Sequence, residues 1–137
     1  MAEQCIFCRI VKGEIPAARV VEDDQVLAFL DIGPVNEGHC LLLPKAHHAR
    51  LEDCPPELAA ALARRLGPLA RAIIAAVGAE GYNVLNNAGR CAGQLVEHVH
   101  FHVIPRRPGD GVFTQWPAGK YPPGRAEAVA ARIRANL

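Results

Sequence analysis

Between residues 54 and 77 the apolar positions Leu58, Leu62, Leu66, Leu69, Ile73 and Val77 recur at steps of four, four, three, four and four. That period puts them on one face of a helix. Pro55 and Pro56 are tolerated in a first turn, where amides lack helical partners, and Glu57 suits the positive end of the helix dipole. Pro68, next to Gly67, removes an internal hydrogen bond and predicts a bend. The apolar face continues past it, so the pattern predicts one long kinked helix.

Elsewhere the apolar runs are short or alternate. Residues 6–11 predict a small helix that stops at Lys12-Gly13-Glu14-Ile15-Pro16. Residues 19–22 and 26–31, separated by the acidic turn Asp23-Asp24, predict an antiparallel pair of strands, the second ended by Gly33-Pro34. Residues 40–43 predict a third strand closed by Pro44, and 82–86 a fourth. Residues 96–104 form the strongest strand pattern in the chain, after a glycine-containing loop over 87–93. A polar, proline-rich tail leads to a short terminal helix over 125–137, with Val129, Ile133 and Leu137 on one side. A helix set apart from several antiparallel strands predicts an α+β fold.

The length of 137 residues fits a single domain, 1–137, and a half-hydrophobic composition supports a core without disulfides. Fifteen Lys+Arg against fourteen Asp+Glu leaves a net charge of +1, which offers no long-range attraction for nucleic acid or an anionic membrane. No apolar run approaches the roughly 20 residues that span a bilayer, and Met1-Ala2-Glu3-Gln4-Cys5 does not read as a signal peptide. Five cysteines, an odd number, predict a reducing compartment, the cytoplasm. The spacing Cys5-x-x-Cys8 alone reads as a redox pair, a metal half-site or coincidence.

Three of the six histidines fall in His98-Val99-His100-Phe101-His102-Val103-Ile104. On a strand, Val99, Phe101 and Val103 turn toward the core while the three imidazoles share the other face, about 6.6–6.8 Å apart. That spacing is too wide for all three to reach one metal at about 2.0–2.1 Å. It suits an extended anionic group such as a polyphosphate, with the central His100 attacking and its neighbours donating hydrogen bonds.

The segment 98–104 resembles the histidine-triad signature, His-x-His-x-His followed by two apolar residues. Cys5-Ile6-Phe7-Cys8-Arg9-Ile10, Phe29-Leu30-Asp31-Ile32, Pro44-Lys45-Ala46-His47, Asn87-Ala88-Gly89 and Gly93-Gln94-Leu95-Val96 agree with it in order, over a core of 5–111, with 112–137 as tail and short helix. The chain is similar to the small bacterial and Hint-like branch of the histidine-triad (HIT) family, homodimeric nucleotidyl hydrolases or transferases acting on nucleoside phosphoramidates and related nucleotides. The resemblance implies a sheet continued across a homodimer, a purine nucleotide or nucleoside phosphoramidate as the ligand, and no organic cofactor. It makes His100 the nucleophile that forms a nucleotidyl-histidine intermediate, His102 and Gln94 phosphate ligands, and Asp31 the acceptor for the ribose hydroxyls. Ile6, Phe7, Ile10, Phe29 and Ile32 would line the base pocket, with Asn87 and Gly93 beside the phosphate. It also implies a structural zinc ion on Cys5, Cys8, His47 and His98; His39 is a rival ligand, but it lies at the opposite end of the third strand.

The chemistry also stands on the residues themselves. A near-neutral imidazole attacks phosphorus at pH 7, and a carboxylate accepts from both hydroxyls of a diol. Leu95 departs from the pattern: many relatives carry Ser or Thr there, to assist the leaving group, and leucine donates nothing. That keeps open a nucleotide-binding or adaptor protein with little turnover. Arg106-Arg107 offers charge to a longer phosphate chain, as in a dinucleoside polyphosphate hydrolase, or is a solvated turn. A C-terminal Trp of relatives lies near the partner subunit's active site, a loose counterpart for Trp116.

Overall fold

Asp23 turns the first hairpin by accepting hydrogen bonds at Oδ1 from the amides of Gln25 (2.8 Å) and Val26 (2.9 Å). In the computed structural model, which describes residues 2–137, the strands around that turn are β1 (Arg19–Glu22) and β2 (Val26–Leu30). With β3 (Cys40–Pro44), β4 (Gly81–Asn86) and β5 (Phe101–Arg106) they form one antiparallel sheet in the order β1-β2-β3-β5-β4. The helices are α1 (Ile6–Val11), α2 (Pro56–Val77) and α3 (Arg125–Arg134). The architecture is α+β, as the pattern predicts.

β2 and β3 are buried on both faces, which explains their nearly unbroken apolar sequences. Val26, Ala28, Cys40 and Leu42 pack with Leu62, Leu69, Ala70 and Ile73 of α2. Leu27, Phe29, Leu41 and Leu43 face the other way, onto Phe7 and Ile10 of α1. The period of two along each strand thus splits the core into two clusters. The second one floors the site.

α2 starts at Pro56 rather than residue 54 and runs without a break through Pro68 to the left-handed Gly78. The last strand differs more from expectation. Residues 96–100 are not strand; β5 begins at Phe101 and continues through Pro105 to Arg106. Its neighbours set these limits: β4 pairs no further back than Asn86 with Phe101, and β3 no further than Leu42 with Phe101. Pro105 is accommodated because β3 stops pairing at Val103, and the Pro105 carbonyl on that side is taken by the Asn36 side chain at 2.9 Å. Among the described residues, no helix is long and apolar enough to cross a membrane.

Candidate active site and metal centre

A cavity of about 400 Å³ opens between α1, the ends of β2 and β5, and the loop after β4. Phe7 and Ile10 reach it from α1, with Ile6 at the rim; Phe29 comes from β2, and Asp31 and Ile32 from the turn beyond it. Asn87 and Gly93 line it from the loop, His100 from just before β5 and His102 from its start. The structure therefore brings together every residue assigned to the nucleotide except Gln94. Gly93 sits at φ +93°, a left-handed conformation that favours glycine, and packs beside the Asn87 side chain.

His100 is buried, with the Phe7 ring edge-on to it at 5.0 Å. Its Nδ1 lies 2.7 Å from the His98 carbonyl oxygen. A carbonyl only accepts, so Nδ1 carries the proton and Nε2 keeps a free lone pair. Burial lowers the pKa of His100, and it drops that of His102 to about 4, so both rings are neutral near pH 7. The Asn86 side chain donates to the His100 carbonyl at 2.9 Å, pinning the backbone that carries the ring. Asp31 accepts the Gly33 amide at Oδ1, 2.8 Å.

Gln94 stands apart from this cavity. It is buried, and its Nε2 donates to the carbonyls of Ala49 (2.6 Å) and Val96 (3.1 Å), while Oε1 accepts from the Gly89 amide (2.8 Å). All its polar groups are engaged by backbone, so it braces the loop rather than facing a phosphate. Arg106 is likewise committed, to Asp110 at 2.8 Å through two nitrogens, to Asn83 and to the Val112 carbonyl. Arg107 donates to the Val77 carbonyl at the end of α2. Neither arginine lines the cavity. Leu95 and Trp116 are almost fully exposed, Leu95 at the cavity mouth.

Behind the cavity lie the four predicted metal ligands, their donor atoms within 4.8 Å of one another. His98 Nδ1 is 3.5 Å from Cys5 Sγ and 3.6 Å from Cys8 Sγ, and His47 Nδ1 is 3.3 Å from Cys8 Sγ. A tetrahedral zinc, with bonds of about 2.3 Å to sulfur and 2.0–2.1 Å to nitrogen, separates sulfur from nitrogen by about 3.6 Å. The donor set is therefore already spaced as the edges of such a tetrahedron. His98 Nε2 donates to the Pro44 carbonyl at 2.8 Å, which fixes the ring and leaves Nδ1 free for a metal. Burial pushes the Cys8 thiol up to about 11, which a bound cation would reverse.

Comparison with known proteins agrees with this geometry. The HIT domain matches residues 12–109. The chain belongs to the HIT family. It is 41% identical over 134 residues to an adenosine 5'-monophosphoramidase of Schizosaccharomyces pombe, covering 97% of this chain and 98% of the relative. A HIT-family crystal structure from Bacillus subtilis superposes with a TM-score of 0.91 at 39% identity, covering 98% of this chain and 97% of that one. A zinc-bound histidine-triad protein from Mycobacterium smegmatis gives 0.77 at 38% identity with full coverage of both chains.

Two residues of this HIT site escape a reading of the sequence. Asn86 was legible only as strand. His39, considered only as a rival zinc ligand, places its Nε2 2.9 Å from His102 Nδ1. The signal lies in the pairing of Leu41 with His102, which no local pattern reveals.

Proposed function

We propose that this HIT protein is a nucleotidyl hydrolase or transferase acting on nucleoside phosphoramidates or related purine nucleotides through a nucleotidyl-histidine intermediate. One observation carries the reading: the ring of His100 lines the cavity with Nδ1 held as a donor, so Nε2 is the nucleophile. In the first step the Nε2 lone pair forms a bond to the α-phosphorus, the phosphorus–leaving-group bond breaks, and the leaving amine takes a proton. Water then attacks the same phosphorus, the histidine–phosphorus bond breaks, and the nucleoside monophosphate departs. His102 donates to the phosphate, Asp31 accepts from the ribose, and Ile6, Phe7, Ile10, Phe29 and Ile32 hold the purine so that attack is in line. Asn87 and Gly93 flank the phosphate. Gln94 supports these groups through the loop it braces.

Zinc is the metal that Cys5, Cys8, His47 and His98 suit. Four protein ligands fill its shell and leave no open position, which supports a structural role. The reaction as written needs no organic cofactor. The five free cysteines fit a reducing compartment and support the cytoplasm as location. Family resemblance supports a homodimer. Leu95 favours one second reading, a nucleotide-binding module with little turnover, because no hydroxyl assists the leaving group there. Splitting of dinucleoside polyphosphates loses ground, since Arg106 is spent on Asp110.

His100→Asn tests the proposal. Single-turnover cleavage of an adenosine phosphoramidate is expected to fall by at least about 10³-fold while AMP binds within roughly tenfold, because a nucleophile acts chiefly in the transition state. Retention of more than a tenth of the rate would overturn the covalent mechanism. Failure of wild type to turn over any phosphoramidate, with AMP still bound, would put the binding module ahead.

A further inference from the structure

The spacing Cys5-x-x-Cys8 fits a redox pair as well as a metal half-site, and the structure allows the same two residues to be both. Their sulfurs lie within 4.8 Å of each other in the candidate metal cluster. Cys8 is buried, but Cys5 is half-buried and lines a second cavity, of about 520 Å³. Gln4, Arg90 and Glu97 line it too, so this groove is an aqueous approach to the Cys5 sulfur. Cys40, by contrast, is enclosed in the core against α2, and the Cys54 thiol is turned to the Arg50 carbonyl at 3.7 Å.

Cα atoms three residues apart on a helical turn stand about 5 Å from each other, inside the range a disulfide spans. A disulfide draws the sulfurs to about 2.05 Å, whereas two thiolates on one tetrahedral zinc are separated by about 3.8 Å. The pair therefore cannot be closed and hold the metal at once. Ile6 and Phe7 lie between the two cysteines. Ile6, with Leu95 and Val96, walls both the groove and the nucleotide cavity, and Phe7 is the ring set edge-on to His100. A rearrangement of this first turn of α1 on the groove side thus reaches the cavity on the other side.

We propose that Cys5 and Cys8 are a hydroperoxide-sensitive pair whose oxidation to a disulfide expels the metal and loosens the nucleotide cavity. The inference rests on the zinc reading of the cluster and, for the cavity, on its nucleotide reading. Zinc, when bound, keeps both sulfurs as thiolates. The Cys5 thiolate attacks one oxygen of the peroxide: a sulfur–oxygen bond forms, the oxygen–oxygen bond breaks, and the departing hydroxide takes a proton from solvent. The Cys8 thiolate then attacks the Cys5 sulfenic sulfur, the sulfur–sulfur bond forms, and a second hydroxide leaves and is protonated. Two thiolates have given up two electrons, and one peroxide has become two waters. His47 and His98 alone remain as ligands, too few to close a zinc shell. A dithiol reductant reverses the exchange.

Hydrogen peroxide added to the zinc-loaded full-length protein, with a chromogenic chelator present, tests this. One zinc is expected to be released per disulfide formed, peptide mass mapping is expected to place that disulfide between Cys5 and Cys8, and the sheet is expected to stay folded by circular dichroism. Cys91→Ser should leave the release unchanged. AMP affinity of the oxidised protein should fall by about 5- to 50-fold and return after dithiothreitol and zinc are supplied. Saturating AMP should in turn disfavour the disulfide, because linkage is reciprocal. Oxidation confined to Cys91 or Cys54 with the zinc retained would overturn the proposal, as would zinc release without a Cys5–Cys8 bond, global unfolding, or a loss that reductant and zinc do not repair. Disulfide and metal are read without nucleotide, so the two readings fail separately. A reduced protein that binds no AMP would remove the nucleotide reading, whereas equal AMP affinity in both redox states would remove only the link between the pair and the cavity.

Discussion

Gln94 shows how a side chain set back from the cavity can act entirely through backbone. Its amide joins the Gly89 turn, the loop after β3 at Ala49 and the approach to His98 with three hydrogen bonds. Gln94→Met keeps the volume and removes all three. At about 1 kcal/mol each, with a penalty for buried groups left unpaired, the variant is expected to lose about 2–4 kcal/mol in urea unfolding. AMP affinity should fall less than the loss of a direct phosphate contact would demand. A tenfold weaker AMP complex with wild-type stability would instead put the amide on the phosphate. The identity of the residues around the cavity was legible in the sequence, because their types and order carry the family pattern. Their hydrogen-bond partners were not: Gln94 and Arg106 read as phosphate donors until Ala49 and Asp110 are seen to hold them.

At the level of elements, the two sheet edges differ. β1 carries Arg19 and Glu22, with a register shift between Arg19 and Val21, and charge and irregularity both discourage strand pairing. β4 reads Gly81-Tyr82-Asn83-Val84-Leu85-Asn86, without a charge, and leaves Tyr82 and Val84 substantially exposed. If a homodimer continues the sheet, β4 is the edge that pairs. Sedimentation at micromolar concentration is expected to report about 29 kDa, twice the 14.7 kDa chain. Val84→Lys should shift it toward monomer, whereas Val20→Lys on β1 should not. A wild-type monomer would sink the claim. The periodicity located all five strands and the long helix, because alternation and the 3.6-residue repeat are local properties. It overextended the last strand backwards, over 96–100, because alternation reports which way side chains face and not whether a neighbouring strand is present. Val99 shows the consequence: its amide bonds to the His48 carbonyl, at 2.7 Å, outside any ladder.

Across the whole molecule, an ion on the candidate metal cluster would link segments that the sheet does not. Cys5 and Cys8 belong to the start of α1, His47 follows β3, and His98 precedes β5, so one ion would join points 39 and 51 residues apart in the chain. α1 is only six residues long, too short to hold a helical form by itself, yet it supplies Phe7 and Ile10 to the cavity floor. A zinc ion held there would contribute to function through position. Purified protein is expected to contain about one zinc per chain, and Cys5→Ser/Cys8→Ser to remove it and lower the melting temperature by at least about 5 °C, since metal binding is linked to folding. The same variant should raise KM for an adenosine phosphoramidate more than it lowers kcat, because α1 borders the base pocket whereas the His98 carbonyl that sets the His100 tautomer stays in the chain after β4. A protein free of zinc after chelator-free purification, with the double variant melting at the wild-type temperature, would reduce the four residues to a packed cluster of thiols and imidazoles. A fall in kcat alone at unchanged KM would mean that the ion reaches the chemistry through His98, and that α1 holds its place by the packing of Phe7 and Ile10 on β2 and β3.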